Sequence, residues 1–380
     1  MKLYHHFFDF FAVIITSGII SYLINNTFVK YRVNIKRDKE THSGVRWGSR
    51  KKPVLGGVSF FILFVLSTLF CMLLGKYLSQ YTFDLQWIGI ITATLLGFFM
   101  GLYDDAYHLQ PLPKFVGQLL CAAVMIATGS IVKVTNILPI DIFITGFWVV
   151  GMMNSINMLD NMDGITGSIA FIAIAGIFIP VFETQGFNTQ TFTLTSVMGA
   201  LLGFLLLNWN PSKLYMGDSG SQFLGAFLSG IAIMYLWRQN HFQGSYGYMA
   251  NVILPAIIFI VPIIDTTIVT FKRISRGCSP FVGGKDHITH HFVFYALTDK
   301  STAILLASIA ALSAVLYNIL FFNFIYWKWY LSVSLICYLS VLFGFIFYFY
   351  QQGERKKKMT EHNQNLNKTH RHVKSKETAT

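Results

Sequence analysis

Charged residues are scarce in this chain. Only 12% of its 380 residues are Asp, Glu, Lys or Arg, whereas 54% are hydrophobic. A soluble domain of this length could not bury so much apolar surface, so the shortage of charge excludes an ordinary soluble protein. Because long apolar runs recur from one end of the chain to the other, the sequence predicts an all-α polytopic membrane protein.

Cysteine is rare as well, and its placement excludes two further classes. The four cysteines are Cys71, Cys121, Cys278 and Cys337, with neither metal-like nor disulfide-like spacing. We therefore interpret them as packing residues. The sequence also lacks a Ser/Gly-rich linker and an internal repeat, which favours one membrane domain over residues 1–350. Residues 351–380 are polar and basic and are expected to form a disordered cytoplasmic tail.

Apolar runs long enough to cross a bilayer, about 17 to 25 residues, predict eleven spans. They cover residues 7–29, 54–75, 86–103, 115–132, 138–154, 164–183, 191–208, 220–237, 250–271, 301–324 and 328–350. The first run is longer than the core of a signal peptide, and no small-residue cleavage pattern follows it. It is therefore expected to be a retained span.

The basic residues give the predicted spans an orientation. The formal net charge is +12, and 24 of the 29 Lys and Arg residues fall in one set of alternate loops and in the tail. Nine lie between Lys30 and Lys52, and eight follow Gln351. Because basic loops stay on the cytoplasmic side, this set is predicted to be cytoplasmic in a multi-pass protein of the cell inner membrane. Such clusters also favour anionic lipids, so the expected partner of this charge is lipid and not nucleic acid.

Four predicted cytoplasmic loops carry acids, amides, lysines or histidines beside the spans. The loops read GLYDDAYHLQPLPKFVGQ, NSINMLDNMDGITGS, LLNWNPSKLYMGDSGSQFLG and GGKDHITHHF. Their candidate site residues are Asp104, Asp105, Lys114, Asn157, Asp160, Asp163, Asn208, Asp218, His287, His290 and His291. A charged Asp in mid-bilayer costs about 2.5 to 3.5 kcal/mol, so burying all five aspartates of this set in lipid would cost on the order of 15 kcal/mol. They are expected to face water, a cation or one another.

Each of these residues also has a purely structural interpretation. Asp104 and Asp105 could end a span in water, Asp218 could cap the next helix, and Lys114 could extend to the lipid headgroups. The asparagines could bridge helices, and the histidines could be solvated. These interpretations would have to hold independently at four loops on one face of the membrane. That coincidence favours a shared site.

The chemistry of this residue set points to phosphate. Hard oxygen ligands suit Mg²⁺ or Mn²⁺, which commonly bridges a pyrophosphate, and lysine and histidine can neutralise phosphate oxygens. Zinc is disfavoured because no cysteine accompanies the histidines. The Gly-Gly-Lys at 283–285 is not a P-loop, because Asp286 follows the lysine where Ser or Thr is needed. The residues therefore predict metal-assisted phosphoryl transfer at the cytoplasmic leaflet.

The same motifs, together with KKPVLGGVSFF after the first basic loop, resemble those of the polyprenyl-phosphate N-acetylhexosamine-1-phosphate transferases. That family, glycosyltransferase family 4, includes bacterial undecaprenyl-phosphate GlcNAc-1-phosphate transferases and the phospho-MurNAc-pentapeptide translocase. The resemblance covers residues from about 50 to 300. It implies ten or eleven transmembrane helices, a cytoplasmic active site, a UDP-N-acetylhexosamine donor, a polyprenyl phosphate acceptor and Mg²⁺. It leaves a homodimer open.

The resemblance also implies roles for residues that match the family's motifs. Asp104 and Asp105 resemble the paired aspartates that handle the lipid phosphate, Lys114 resembles a phosphate-contacting lysine, and Asp218 resembles the principal Mg²⁺ ligand. The polar residues close to the metal and pyrophosphate correspond to Asn157 and Asp160, and those around the uridine to Asp163 and Asn208. Tyr215 matches an aromatic residue that stacks on uracil. The histidine cluster of the last large cytoplasmic loop corresponds to His287, His290 and His291.

The sequence departs from the family's pattern at two places. Asn161 stands where the commonest pattern has Gly, which bears on the geometry of the uridine pocket. Ile288 and Thr289 interrupt the run of histidines that is continuous in the MurNAc-pentapeptide branch. The interrupted run favours a small UDP-N-acetylhexosamine, such as UDP-GlcNAc, over UDP-MurNAc-pentapeptide. In the implied reaction a phosphate oxygen of the lipid attacks the β-phosphorus and UMP leaves. Direct displacement and a route through an aspartyl intermediate are both compatible with the sequence.

Two other functions remain as alternatives. An ion-coupled transporter could use Asp265, beside Pro262 in the ninth predicted span, as an ion site. Against a transporter, the polar residues gather at one membrane surface instead of the midplane, and the chain shows no repeated halves. A lipid-bound scaffold that uses its basic tail would leave the carboxylates unexplained.

Overall fold

The structure of the protein is a computed structural model, and it describes residues 2–33, 52–75, 82–135, 137–237, 241–279, 284 and 286–377. Most of the first basic loop, predicted to be cytoplasmic, lies outside these residues. The described part of the chain is helical, with thirteen α-helices. They are α1 (Lys2–Lys30), α2 (Gly56–Leu74), α3 (Leu85–Tyr107), α4 (Pro111–Ala127), α5 (Leu138–Leu159), α6 (Ile165–Gln185), α7 (Thr189–Asn208), α8 (Gly217–Tyr235), α9 (Gly247–Ile258), α10 (Ile260–Ser275), α11 (Ile288–Tyr295), α12 (Asp299–Asn323) and α13 (Trp329–Glu377).

Eight of the described helices are long and apolar enough to cross a membrane. They are α1, α2, α3, α5, α6, α7, α12 and the first part of α13. Each of the eleven predicted spans overlaps a helix, but α4 has only 17 residues and α8 is buried inside the bundle on almost all sides. The multi-pass character is therefore confirmed, whereas the count of eleven stays a prediction.

The ninth predicted span, 250–271, is not one straight helix. It is divided into α9 and α10, which meet at an angle of 80° beside Phe259. Pro262 has no amide hydrogen and cannot donate to the carbonyl of Ile258, which accounts for a break at this point. The bend directs α10 toward the segment that carries the histidines.

The end of α13 also differs from expectation. The helix continues to Glu377, through residues that the sequence predicts to be a disordered tail. Residues 351–377 contain no proline and are rich in Lys, Glu, Gln and Arg, which favour helix. Glu354 additionally forms ion pairs with Lys272 and Arg276 near the end of α10, at 3.0 and 2.7 Å. The division of the chain at residue 350 stays a prediction.

Close helix crossings bring the polar helix ends together. Helix α8 packs against α2, α3 and α5. A Cβ atom added at Gly101 in α3 would overlap the backbone of Asp218, and one added at Gly57 in α2 would overlap Gly220 in α8. These glycines therefore allow the backbones of α2 and α3 to contact the backbone of α8 at its first turn.

The hydrophobic core has two parts. The larger part lies among α2 to α9 and includes Phe60, Phe223 and Phe227. The smaller part joins α10, α11, α12 and α13 to the end of α5 and the start of α6, and it includes Ile264 and Ile288. The short helix α11 is thus held in this smaller part of the core.

Candidate active site

Five predicted residues meet where α3, α4, α5 and α8 converge. We call them the carboxylate cluster: Asp104, Asp105, Lys114, Asn157 and Asp218. Lys114 Nζ lies 2.7 Å from Asp104 Oδ2, 3.2 Å from Asn157 Oδ1 and 3.6 Å from Asp218 Oδ1. Asn157 Nδ2 donates to Asp218 Oδ1 at 2.6 Å. The lysine therefore neutralises two carboxylates, and the amide fixes the position of both Lys114 and Asp218.

Asp105 has a different role from its neighbour Asp104. Its two oxygens accept the backbone N–H groups of Asp218 and Ser219, at 3.0 and 2.9 Å, so it caps the N-terminus of α8 from another helix. It is only 1% exposed. Gly217 begins α8 at φ +80°, and a Cβ there would crowd the Asp105 carboxylate. Asp105 thus orients the turn that carries Asp218.

A second group of polar residues lies around the loop between α7 and α8. Asp163 accepts from Ser212 N and Ser212 Oγ, at 2.9 and 2.8 Å. Lys52 Nζ donates to Ser212 Oγ at 2.8 Å, lies 3.8 Å from Asp163 Oδ2, and sits 4.8 Å from the centre of the Tyr215 ring. We call Lys52, Asp163, Ser212 and Tyr215 the lysine pocket. Lys52 was not among the predicted site residues; its place inside the KKPVLGGVSFF motif was the available signal.

Asn208 links this pocket to the start of α6. Its Oδ1 accepts from Gly164 N at 3.0 Å, and its Nδ2 donates to Leu214 O at 2.8 Å. Gly164 has φ +77°, a left-handed conformation that only glycine adopts readily. Asn208 is buried and fully engaged in these backbone contacts, so it shapes the pocket from behind.

The three histidines do not form one cluster. His287 Nδ1 lies 2.9 Å from Asp265 Oδ2, and the rings of His287 and His290 are 5.7 Å apart. His291 lies elsewhere, with its ring 4.1 Å from the Tyr350 ring of α13. Burial lowers the pKa of His291 from 6.5 to about 4. Its position supports a packing role more than the predicted catalytic one.

Ion pairs and a hydrogen bond hold the segment before and within α11. The Arg273 guanidinium at the end of α10 donates to both oxygens of Asp286, at 2.8 and 2.7 Å. Burial acts to raise the pKa of Asp286, but the Arg273 contacts outweigh it and the pKa is lowered. Thr289 Oγ1 donates to Asn161 Oδ1 at 2.6 Å. The two departures from the family's pattern are therefore in contact with each other.

A cavity of about 1030 Å³ lies between these groups. Its polar end is lined by residues of the carboxylate cluster, the lysine pocket and the histidine segment: Lys52, Lys114, Asn157, Asp160, Asp163, Asn208, Tyr215, His287 and His290. Asp104, Asp105, Asp218 and His291 do not line it. Its other end is apolar and runs along α4 and α5 past Phe115, Leu119, Phe143 and Phe147. Phe143 and Phe147 are each 74% exposed, so this end opens at the surface of the bundle.

The residues at the polar end fit a divalent cation only in part. In the portion of the chain that the structure describes, no three His, Cys, Asp or Glu side chains are grouped so as to hold a metal alone. The side chain of Asp218 is 30% exposed, and the Asn157 amide lies beside it. Asp160 follows the last turn of α5, one turn beyond Asn157, and lines the cavity. Such a donor set suits Mg²⁺, which is usually held by one or two carboxylates, water and substrate phosphates.

Comparisons with known proteins agree with this geometry. Residues 87–236, which carry the carboxylate cluster, match the profile of glycosyl transferase family 4. A probable undecaprenyl-phosphate N-acetylglucosaminyl 1-phosphate transferase of Bacillus subtilis is 28% identical over 69% of this chain and 72% of its own length. A phospho-N-acetylmuramoyl-pentapeptide-transferase of Lactobacillus gasseri is 27% identical over 77% and 91%. A decaprenyl-phosphate N-acetylglucosaminephosphotransferase of Mycolicibacterium smegmatis is 25% identical over 67% and 68%. The resemblance to this family that the motifs predict is therefore confirmed.

Proposed function

We propose that this protein transfers N-acetylhexosamine 1-phosphate, in particular GlcNAc 1-phosphate, from a UDP-sugar to a polyprenyl phosphate such as undecaprenyl phosphate. The transfer would be the first membrane step of a cell-envelope glycan, such as an O-antigen or a wall polymer. The observation that carries this proposal is that one cavity has two unlike ends. A charged end suits a nucleotide diphosphate, and an apolar end that opens at the bundle surface suits an isoprenoid chain.

The reaction is a displacement at phosphorus. An oxygen of the polyprenyl phosphate attacks the β-phosphorus of the UDP-sugar, the bond from that phosphorus to the oxygen shared with the α-phosphate breaks, and UMP leaves with the electron pair. Lys114, His287 and His290 line the cavity and can neutralise charge on the phosphate oxygens. Mg²⁺ or Mn²⁺ held by Asp218 and Asp160 would supply further charge neutralisation.

The paired aspartates act through their neighbours in this mechanism. Asp104 holds Lys114, and Asp105 holds the first turn of α8, while neither lines the cavity. Direct attack by the lipid phosphate is therefore favoured over an aspartyl intermediate on this pair. The UDP moiety is assigned to the lysine pocket, where Tyr215 can stack on uracil and Lys52 can pair with a phosphate oxygen.

The contact between Asn161 and Thr289 supports a small sugar donor. Asn161 Nδ2 also donates to Met158 O at 2.8 Å, so the amide is held at both ends and joins α11 to the loop after α5. Asn161 lines the cavity, as does His290, and these two hydrogen bonds fix its side chain there. A bulky lactyl-peptide arm would have to displace it.

The test compares donors with one acceptor. Purified protein receives UDP-GlcNAc, UDP-GalNAc or UDP-MurNAc-pentapeptide at equal concentration with undecaprenyl phosphate, and UMP release and butanol-soluble sugar are measured. We expect the highest catalytic efficiency with UDP-GlcNAc. A preference for UDP-MurNAc-pentapeptide would overturn the donor assignment but keep the reaction class. Absence of product from all three would refute the reaction and favour a transporter.

The cytoplasmic orientation is tested with thiols in intact cells. Cys278 is exposed in the predicted cytoplasmic region after α10, and Ser245 is exposed on the predicted opposite side. One variant keeps only Cys278, and the other carries Ser245→Cys in a chain without native cysteines. A membrane-impermeant reagent should label only the second variant. Labelling of only the first would reverse the orientation.

A further inference from the structure

Asp265 is a buried carboxylate that the reaction described above does not use. It lies in α10 with an exposure of 0%. Its Oδ2 lies 2.9 Å from His287 Nδ1, and its Oδ1 accepts the backbone N–H of Ile288 at 2.9 Å. Both oxygens therefore act on one short segment, residues 287–288, at the start of α11. This arrangement explains the acid without the membrane ion site considered for a transporter.

The contact selects one tautomer of the imidazole. A carboxylate oxygen can only accept, so Nδ1 carries the hydrogen and Nε2 is the ring nitrogen that His287 offers to a ligand. His287 lines the cavity. In this tautomer Nε2 can take up a proton, and the carboxylate stabilises the resulting imidazolium. An imidazolium at this wall would pair with an oxygen of an anionic phosphate.

We propose that Asp265 is a positioning residue, which acts through His287 to present a protonatable Nε2 to the diphosphate of the UDP-sugar. This inference rests on the proposed function. It assigns Asp265 to the reaction without any contact with substrate, and it makes His287 the histidine that faces the diphosphate.

The bend between α9 and α10 places Asp265 in register with His287. Ser155 in α5 holds the start of α10, because its hydroxyl donates to Pro262 O at 2.7 Å and accepts from Thr266 Oγ1 at 2.8 Å. Two turns further along α10, Arg273 holds Asp286, the residue before His287. The histidine is thus fixed from two points of one helix that is itself anchored to the bundle.

Asp265→Asn separates positioning from folding. The asparagine Oδ1 can still accept from Ile288 N, whereas its Nδ2 would donate to His287 Nδ1 and drive the hydrogen to Nε2. We expect kcat to fall by about 10² to 10⁴, with KM for the UDP-sugar changed less than about threefold, because a ring whose Nδ1 accepts from the amide stays neutral and brings no positive charge to the phosphate. Asp265→Glu should recover part of the loss.

A double-mutant cycle shows whether the acid acts through the histidine. If it does, Asp265→Asn should have less than about a threefold effect in a His287→Ala background. Multiplication of the two single losses would refute the proposal. The matched control is Asp141→Asn, because Asp141 is also buried and accepts backbone N–H groups, from Val134 and Thr135, but does not line the cavity. This variant should keep kcat within about twofold of wild type.

A spectroscopic measurement separates this proposal from the function on which it rests. In protein labelled with ¹⁵N-histidine, the His287 signals, identified by their loss in His287→Ala, should report Nδ1–H in wild type and Nε2–H in Asp265→Asn. If the tautomer switches but wild type releases no UMP, the proposed function is refuted and the positioning of His287 by Asp265 stands. The same tautomer in both proteins would refute the positioning, whatever the activity.

Discussion

Two groups of side chains contribute to the polar end of the cavity, Lys114 and Asn157 of the carboxylate cluster and the histidines His287 and His290, and the two groups are held in opposite ways. The carboxylate cluster lies at the ends of long helices, and its side chains bond directly to one another and to the backbone of α8. The histidine wall is a short helix of eight residues, α11, held from outside by Asp265, Arg273 and α13. The carboxylate cluster is held by contacts among its own residues, whereas the histidine wall is held by residues outside it. A substitution in the cluster should therefore act directly, and the histidine wall should also respond to substitutions in its neighbours.

The largest effect is expected at Asp218. Asp218→Ala removes the carboxylate beside Asn157 and Lys114, and with it the proposed metal ligand. Turnover should fall by about two to four orders of magnitude while the protein still inserts, because a principal electrostatic contact to the diphosphate is lost. The measurement is UMP release, with and without excess chelator. Asp84→Asn, at the N-cap at the other end of α3, is the control and should stay near wild type. Near-normal activity of Asp218→Ala, or of wild type in chelator, would contradict the assignment.

A smaller effect is expected in the lysine pocket. Lys52→Ala removes the cation beside Tyr215 and Asp163 but leaves the carboxylate cluster intact. KM for the UDP-sugar should rise about tenfold, which corresponds to about 1.4 kcal/mol, with kcat changed by less than about threefold. The steady-state comparison includes Lys213→Ala, since Lys213 is exposed in the α7–α8 loop that Lys52 contacts and does not line the cavity. Equal effects at the two lysines would show that only the net charge of this region matters.

The smallest effect is expected at His291. Burial lowers the pKa of His291 in the folded chain to about 4. Between this pH and the ordinary pKa of 6.5, the histidine is protonated in the unfolded chain but not in the folded one. Stability is therefore lost as pH falls from about 6.5 toward 4, with a slope of up to about 1.4 kcal/mol per pH unit.

His291→Phe should reduce this acid sensitivity. The measurement is the difference in Tm between pH 7.5 and pH 5.0, which should be smaller in the variant than in wild type. His362→Phe, on the exposed part of α13, serves as the control and should leave the difference unchanged. Activity at pH 7.5 should stay within about threefold for His291→Phe, in contrast to His287→Ala. A loss as large as that of His287→Ala would restore the predicted catalytic role of His291.

The sequence predicted the carboxylate cluster better than the histidine wall, and the difference has a physical cause. Asp104, Asp105 and Asp218 stand at the ends of apolar runs, where a charged residue is conspicuous and its membrane side can be inferred from the basic loops. Their meeting follows from the helix ends, which must lie at one surface.

The histidine wall depends on packing that periodicity does not reveal. Asp265 lies inside an apolar run, and its partner His287 is 22 residues further along the chain. The pairing requires the 80° bend between α9 and α10. The hydropathy pattern does not reveal this bend, because the two helices form one continuous apolar run. The position of His291 against Tyr350 likewise depends on where α13 lies. Lys52 is one of several basic residues in its loop, and its contacts with Tyr215 and Asp163 distinguish it from the others.

The contact between α11 and α13 has a consequence for biosynthesis. A Cβ added at Gly353 in α13 would overlap the backbone carbonyl of His291, and Lys356 Nζ donates to Tyr295 O at 2.6 Å. The ribosome makes α13 after the carboxylate cluster, the lysine pocket and the histidines themselves. Because translation adds about 5 to 20 residues per second, the carboxylate cluster can form several seconds before the residues of α13 that support α11 are synthesised. A nascent chain can therefore hold a nearly complete lysine pocket and carboxylate cluster while α11 is still unsupported.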